Sequence, residues 1–512
     1  MRTSVRRRFA FTVGANLLRS MLSFVTGMLL ARSLGPVSYG EMAFLLGTFV
    51  AIRQILDMGS STAFYTFMSQ RAQSRRFVTL FFGWLGVQFL VPLCVVGFLF
   101  PSQWIEAIWR GAHRGLVLLA FVAAFMQYSL WPVIQQLGES RRQTLRVQSL
   151  GVAVIVIHLL AMILLWSFGR LGLYAIFIAI ALEYLIAAIV LLKCFRNWVP
   201  DELKPVGIES VSVFKLYLRY CLPLLPYTWV GFAYEFADRW LLQNYGGSVQ
   251  QAYYAVSAQF AGVALIATSS ILNIFWKEIA EAHFRSDHVR THMLYRGISR
   301  ILFLVGAMIA GYLSPWAEEL VRLILGVAYV GGASTLVIMF LYPIHQSMGQ
   351  IGGTMLYATE RITLQVVIGV IFMVLSMGVT YLVLAPADAV VPGLGLASEG
   401  LAFKMVGLQI IQANVLAYVI ARIWKWRFDW GYQVVGLLGC LSLGWVAHLG
   451  AIELTRDSWP LPAAMALGGV LYLILTVAFV YSLPWLAGST RAVILQEATM
   501  VIRKAISGFT AT

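Results

Sequence analysis

The stretch FAFTVGANLLRSMLSFVTGMLL, residues 9–30, is long enough to cross a ~30 Å hydrocarbon core as one helix. Near its middle stands an arginine, Arg19. The next apolar run, Met42–Tyr65, carries Arg53 four residues before Asp57. A charge at mid-bilayer costs about 2.5–3.5 kcal/mol on insertion scales, so such a residue faces a protein interior or a wet cavity. Cations placed in a cavity point to an anionic substrate.

Similar runs recur along the whole chain. Of its 512 residues 60% are hydrophobic and 12% charged, and the mean hydropathy is +0.80. The pattern predicts an all-α polytopic membrane protein; a transmembrane barrel would show short alternating segments instead. Fourteen spans are expected, at 9–31, 41–66, 77–99, 115–136, 147–168, 171–193, 216–242, 252–276, 298–321, 333–357, 363–384, 397–421, 431–450 and 461–483. An even number puts both termini on one side. Of the 37 Lys and Arg, 26 fall on that side and eight on the other, the rest lying within spans. The positive-inside rule makes it the cytoplasmic side. The net charge of +15 is then mostly topological, and nucleic acid is not an expected partner. The basic start, Arg6 to Arg8, mimics a signal peptide, but the run after it is too long and contains Asn16 and Arg19, so it reads as an uncleaved span.

Several chemistries are excluded. The longest expected loop is about 22 residues, too short for a soluble catalytic domain. There is no phosphate loop, no His-Glu-x-x-His and no nucleophile elbow. The chain is therefore not expected to be an enzyme, to bind a cofactor or to hydrolyse ATP. Cys94, Cys194, Cys221 and Cys440 form no short motif and read as free thiols. His283, His288 and His292 share one loop without the Cys or carboxylate pattern of a metal site.

Two halves can be discerned. Leu34-Gly35-Pro36 to Gly40 links spans one and two, and Tyr245-Gly246-Gly247 to Tyr253 links spans seven and eight. A displacement of six spans keeps orientation, so the halves would be parallel repeats about an axis along the membrane normal. The expected domains are a six-helix bundle at 1–200, a second at 201–428, an additional hairpin at 429–484 and a cytoplasmic amphipathic tail at 485–512. The tail reads either as an interfacial helix or as a partner-binding one.

Four motifs in order carry a resemblance: Asn16 to Arg19, Leu34-Gly35-Pro36 with Tyr39-Gly40, Asp238-Arg239 to Leu242, and Leu325-Gly326 with Tyr329. They resemble the polysaccharide transporter family, which includes O-antigen flippases of the Wzx type and exopolysaccharide exporters. Its superfamily, the multidrug/oligosaccharidyl-lipid/polysaccharide (MOP) flippases, also holds MATE drug exporters and the lipid II flippase. The resemblance implies two six-helix bundles about a central cavity, alternating access, and an oligosaccharide carried on undecaprenyl pyrophosphate. A polymerase and a chain-length regulator are the partners it implies. It also implies that arginines on spans one and two hold the pyrophosphate, which here are Arg19 and Arg53.

The faces of the spans fit this. Asn16, Arg19, Ser20, Ser23, Thr26 and Gly27 recur at helical steps on span one. Small-residue packing explains the last three but not Arg19, whose alternative role is a structural ion pair. Arg53 could equally be neutralised within its helix by Asp57. On span seven, Pro223 and Pro226 break the helix ladder ahead of Tyr227 and Tyr234. Glu235 and Asp238 follow, and with Asp57 they are candidates for coupling H+ or Na+; Asp238 could instead pair with Arg239. Tyr128, Trp131 and Gln135 on span four, and Tyr342, His345, Gln346 and Gln350 on span ten, could meet sugar by stacking and hydrogen bonds, or simply pack. The substrate-binding set is thus Arg19, Arg53, Asn16, Tyr227, Tyr234 and Gln346. Two other classes stay open: a MATE-like ion-coupled small-molecule exporter, and a membrane polysaccharide polymerase or ligase. The first favours acidic cavities, and the second needs a large outer loop that this chain lacks.

Overall fold

The computed structural model describes residues 5–70, 75–195, 210–455, 459–488 and 490–491. The chain forms two compact units, Met1–Val256 with Met373–Leu401, and Ser257–Phe372 with Ala402–Thr512.

The first unit begins with α1 (Val5–Asp57), α2 (Ser60–Gln70) and α3 (Arg75–Cys94). It continues through α4 (Ser102–Trp109), α5 (Arg114–Phe125), α6 (Trp131–Ser140), α7 (Thr144–Ser167) and α8 (Leu173–Phe195). Next come α9 (Ser210–Cys221) and the first part of α10 (Leu225–Phe284). Within the unit α1 packs along α7 and α5, and α8 closes against α5 and α7. Phe44, Leu45, Ala51, Val117, Ile134 and Phe177 form its driest interior.

The second unit holds the rest of α10, then α11 (His288–Leu313), α12 (Ala317–Ile324), α13 (Ala333–Phe340) and α14 (Tyr342–Ala358). α15 (Ile362–Leu384) starts in it, and α16 (Ala397–Ile423) continues in it. α17 (Gly431–Thr455) and α18 (Leu461–Ser482) complete it. α11 packs on α14 and α17, and α17 on α18. Phe275, Ile279, Ile351, Met355, Leu356 and Ile420 are its core at one end, with Trp424 and Trp426 packed against them.

Among the described residues eleven helices are long and apolar enough to cross a membrane. The stretch Phe11–Asp57 counts once among them but contains spans one and two, and α10 contains spans seven and eight, so fourteen spans are accommodated. Large apolar residues stand exposed in stripes, such as Ile178, Leu182, Ile186 and Ile189 on α8. Stripes at helical spacing on the outside, with polar groups inside, are what a lipid solvent requires.

Spans one and two are joined without a loop. α1 continues through a single non-helical residue, Gly35, at φ 72° and ψ 170°. Pro36 follows, its fixed φ suiting the first turn of a new helix. α10 breaks in the same way at Gly247, at φ 74° and ψ −177°. A side chain disfavours this φ, so glycine is needed at both corners. The expected Gly-rich turns are thus one-residue kinks, and their matching dihedrals give the sequence repeat a backbone counterpart.

Other boundaries differ from expectation for local reasons. Span two does not run unbroken to residue 66. The helix ends at Asp57, Met58 and Gly59 take positive φ, and α2 restarts beyond them. Span seven breaks where its prolines require, with a 3-10 turn at Leu222–Leu224 between α9 and α10. Span nine starts at His288 rather than 298, because Asp287 caps it by accepting the Arg290 N–H at 2.9 Å. Asp238 meets Thr380, Gln250 meets Ser398, and a Cβ on Gly40 would strike the Ser248 carbonyl, so residues up to 256 and 373–401 join the first unit. Most of the expected amphipathic tail, residues 492–512, lies outside the described residues.

Candidate functional site: two arginine clusters in the first unit

Arg19 sits half-buried on the inner side of α1. Its Nη2 donates to Gln148 Oε1 on α7 at 2.9 Å and to Asn16 Oδ1 one turn back on its own helix. Gln148 in turn donates from Nε2 to Glu139 Oε1 at 2.9 Å, and Thr144 Oγ1 donates to Glu139 Oε2 at 2.8 Å. The arginine is therefore oriented by amide oxygens, and the carboxylate stands one residue further away. Gly151 on α7 makes the room: a Cβ there would lie 2.7 Å from Arg19 Nη1 and 3.3 Å from Gln135 Nε2.

The second cluster joins the end of α1 to α10. Gln54 hydrogen-bonds Glu235, and Arg53, Asp238 and Arg239 lie within electrostatic range of that carboxylate. Two glycines permit the close approach: Gly231 faces the Gln54 amide, and Gly47 faces the Arg239 side chain. Arg53 forms no ion pair with Asp57 among the described residues. Asp57 is engaged elsewhere, accepting from Ser60 Oγ at 3.1 Å, from Ser61 N at 3.0 Å and from Ser61 Oγ, which makes it the cap of α2. Asp238 is buried, with Thr380 Oγ1 2.7 Å from its Oδ1.

Tyrosines connect the clusters. Tyr184 on α8 lies within electrostatic range of both Arg19 and Tyr128, and Tyr128 within range of Arg239. Gln127 Nε2 donates to Tyr184 Oη at 3.3 Å. Gln127 and Tyr128 belong to a π-helical turn, Met126–Leu130, an insertion common where a helix re-aims side chains at a working site.

The expected residues distribute as follows. Asn16 and Arg19 are together, as are Arg53, Glu235 and Asp238, but Arg19 and Arg53 share no hydrogen-bond partner among the described residues. Tyr227, at the start of α10, is exposed, and Tyr234 is half-buried. Gln346 lies on α14 in the second unit. Its neighbour His345 is buried there, with Nε2 3.2 Å from Gln433 Oε1, and Gln433 Nε2 donates to Asn414 Oδ1 at 2.9 Å. Sequence reasoning missed Gln54, Glu139, Gln148, Asn414 and Gln433. One signal was present: each is a polar residue within or beside an apolar run.

Comparison with known proteins follows this geometry. A family model described as polysaccharide biosynthesis protein matches residues 5–275, more than half of the chain. The fold is similar to that of the lipid II flippase MurJ in an inward closed conformation, with a TM-score of 0.69 at 13% identity, covering 92% of this chain and 99% of that one. It is also similar to a MOP superfamily transporter from Pyrococcus furiosus, with a TM-score of 0.54 at 14% identity over 82% of this chain and 96% of that one. The Vibrio cholerae MATE transporter VcmN in the bent form gives 0.53 at 14% identity over 82% and 97%. A comparison with curated proteins gives no match.

Helical architecture thus defines a multi-pass membrane protein whose fold is like that of these transporters. Within that class, the chain belongs to the polysaccharide biosynthesis protein family.

Proposed function

We propose that the chain flips an undecaprenyl-pyrophosphate-linked oligosaccharide from the cytoplasmic to the periplasmic leaflet by alternating access, in surface polysaccharide biosynthesis. One observation carries the reading: Arg19 is held by two amide oxygens rather than by a carboxylate. Amides fix the guanidinium without cancelling its charge, so the site keeps its attraction for an anion. A guanidinium fork also matches the paired oxygens of a pyrophosphate. Asn16 and Gln148 are the positioning residues, and Arg53 is the second cation. Tyr227 and Tyr234 are assigned to sugar contact through their rings.

The second cluster suggests how energy enters. Glu235 lies within electrostatic range of Arg53 and Arg239 and is read as their counter-ion. A proton on Glu235 frees those arginines for the anion, so proton and anion binding assist each other. An anion leaving the cytoplasm moves down an inside-negative potential, which supplies about 2.3 kcal/mol per charge per 100 mV. The potential is therefore the drive, and Glu235, with Asp238 within electrostatic range, sets the pH response. In liposomes holding the purified protein and a fluorescent lipid-linked sugar, an imposed potential should accelerate flipping, and Glu235→Gln should flatten its dependence on pH. Flipping that ignores potential and pH, and needs only added ATP, would defeat the proposal.

A further inference from the structure

The second unit holds a cavity of about 660 Å³ whose lining differs from that of the arginine clusters. It lies where the start of α11, the end of α16 and the start of α17 come together. Four cations line it, Arg296, Arg300, Lys425 and Arg427, against one carboxylate, Asp429. That carboxylate is already engaged by Arg300 Nη2 and stands 3.5 Å from Arg296 Nε. Lys425 and Arg427 have no acidic partner among the described residues. Arg300 is only 3% exposed, its Nη1 donates to the Trp485 carbonyl, and its Nε is buried without a partner. Three positive charges are left unbalanced around a concave space, which gives it an attraction for anions.

The walls say what kind of anion. The Arg300 guanidinium lies 4.8 Å over the Tyr432 ring, and His292 stacks on Trp426 at 4.5 Å. Trp424, Trp426 and Trp430 flank the short link between α16 and α17, as aromatic residues do at a membrane–water boundary. The same helices carry exposed apolar residues on their outer faces, Val434 and Leu438 on α17 and Ile301 and Val305 on α11, where lipid would lie. A cationic hollow at the ends of such spans, beside the tryptophans of the link, suits the phosphate head of a lipid. The chain's own residues 492–512 carry Arg503 and Lys504 against Glu497 alone, so they lack the complementary charge.

We propose that this cavity binds the phosphate of an anionic phospholipid head group from the surrounding leaflet. This is separate from the transported substrate and does not rest on the flippase reading. The test uses the whole purified protein in detergent, titrated with phosphatidylglycerol, phosphatidylcholine or inorganic phosphate and read by native mass spectrometry. Phosphatidylglycerol should bind in preference to phosphatidylcholine. Lys425→Gln with Arg427→Gln, both exposed and hence tolerant of change, should weaken that binding about thirty-fold, two interfacial charges being lost. Arg285→Gln, outside the cavity, should leave it unchanged. Equal retention of both lipids, or an unaffected double variant that elutes as wild type, would overturn the site. Displacement of the lipid by inorganic phosphate at low millimolar concentration would overturn the lipid source and leave a free phosphate as the ligand.

Discussion

Replacing Arg19 by alanine separates charge from structure, because removing a mid-span cation offsets part of what its lost hydrogen bonds cost. The substitution removes two charge-assisted hydrogen bonds, to Gln148 and Asn16, each worth about 1.5–3 kcal/mol. It also strands the Gln148 oxygen, at about 1–3 kcal/mol. Against this, a cation leaves the middle of a span, a relief of about 2.5–3.5 kcal/mol. Asn16 is exposed and can rebond, and Gln148 stays anchored to Glu139 through its Nε2, so membrane abundance should fall much less than flipping. The substrate has no such compensation. Losing a close charge contact costs about 3 kcal/mol, or about 100-fold in affinity. Arg19→Lys keeps the charge but not the fork and should recover part. The assay is flipping of a lipid-linked sugar, normalised to immunoblotted protein in the membrane. Normal flipping by Arg19→Ala at normal abundance would refute the reasoning. So would a parallel fall of flipping and abundance in both variants, which is the signature of a structural ion.

Two further substitutions test the geometry. Asp57→Ala should lower abundance through loss of the α2 cap, at about 1 kcal/mol, and adding it to Arg53→Ala should not restore export; rescue in the double variant would mean that the two residues are a neutralised pair after all. Gly40→Leu should reduce folded protein sharply, since its Cβ would overlap the Ser248 carbonyl, whereas Gly14→Leu, with nothing within 4 Å, should be neutral by the same immunoblot.

Much of the architecture was legible because bilayer chemistry is severe. Apolar runs of span length have few alternative folds, and the prolines of span seven broke it where their missing N–H groups required. The joints were less legible. A kink confined to Gly35 and the restart after Asp57 depend on which backbone groups find partners, and hydropathy does not encode that. The site was half legible. Arg19 and Arg53 announced themselves by cost, but their surroundings did not. Gln148 reaches Arg19 across 129 positions of sequence, and the Thr380 hydroxyl reaches Asp238 across 142. Such pairings are products of packing. Spacing left the partner of Asp57 open: four residues from Arg53 allows a pair, but the two serines beyond it donate to its Oδ1.

The one-residue corners at Gly35 and Gly247 have a practical consequence. A corner made of a single glycine offers nothing to grasp. An antibody, a protease or a labelling enzyme needs several residues of extended chain to seat in its own groove, and α1 provides none there. A tag inserted at Gly35 would have to prise helices apart where Gly40 already touches the Ser248 carbonyl. Tools for watching this protein in a living cell therefore belong elsewhere, for instance on the Pro101–His113 connection, where α4 is followed by a turn at Arg110 and Gly111.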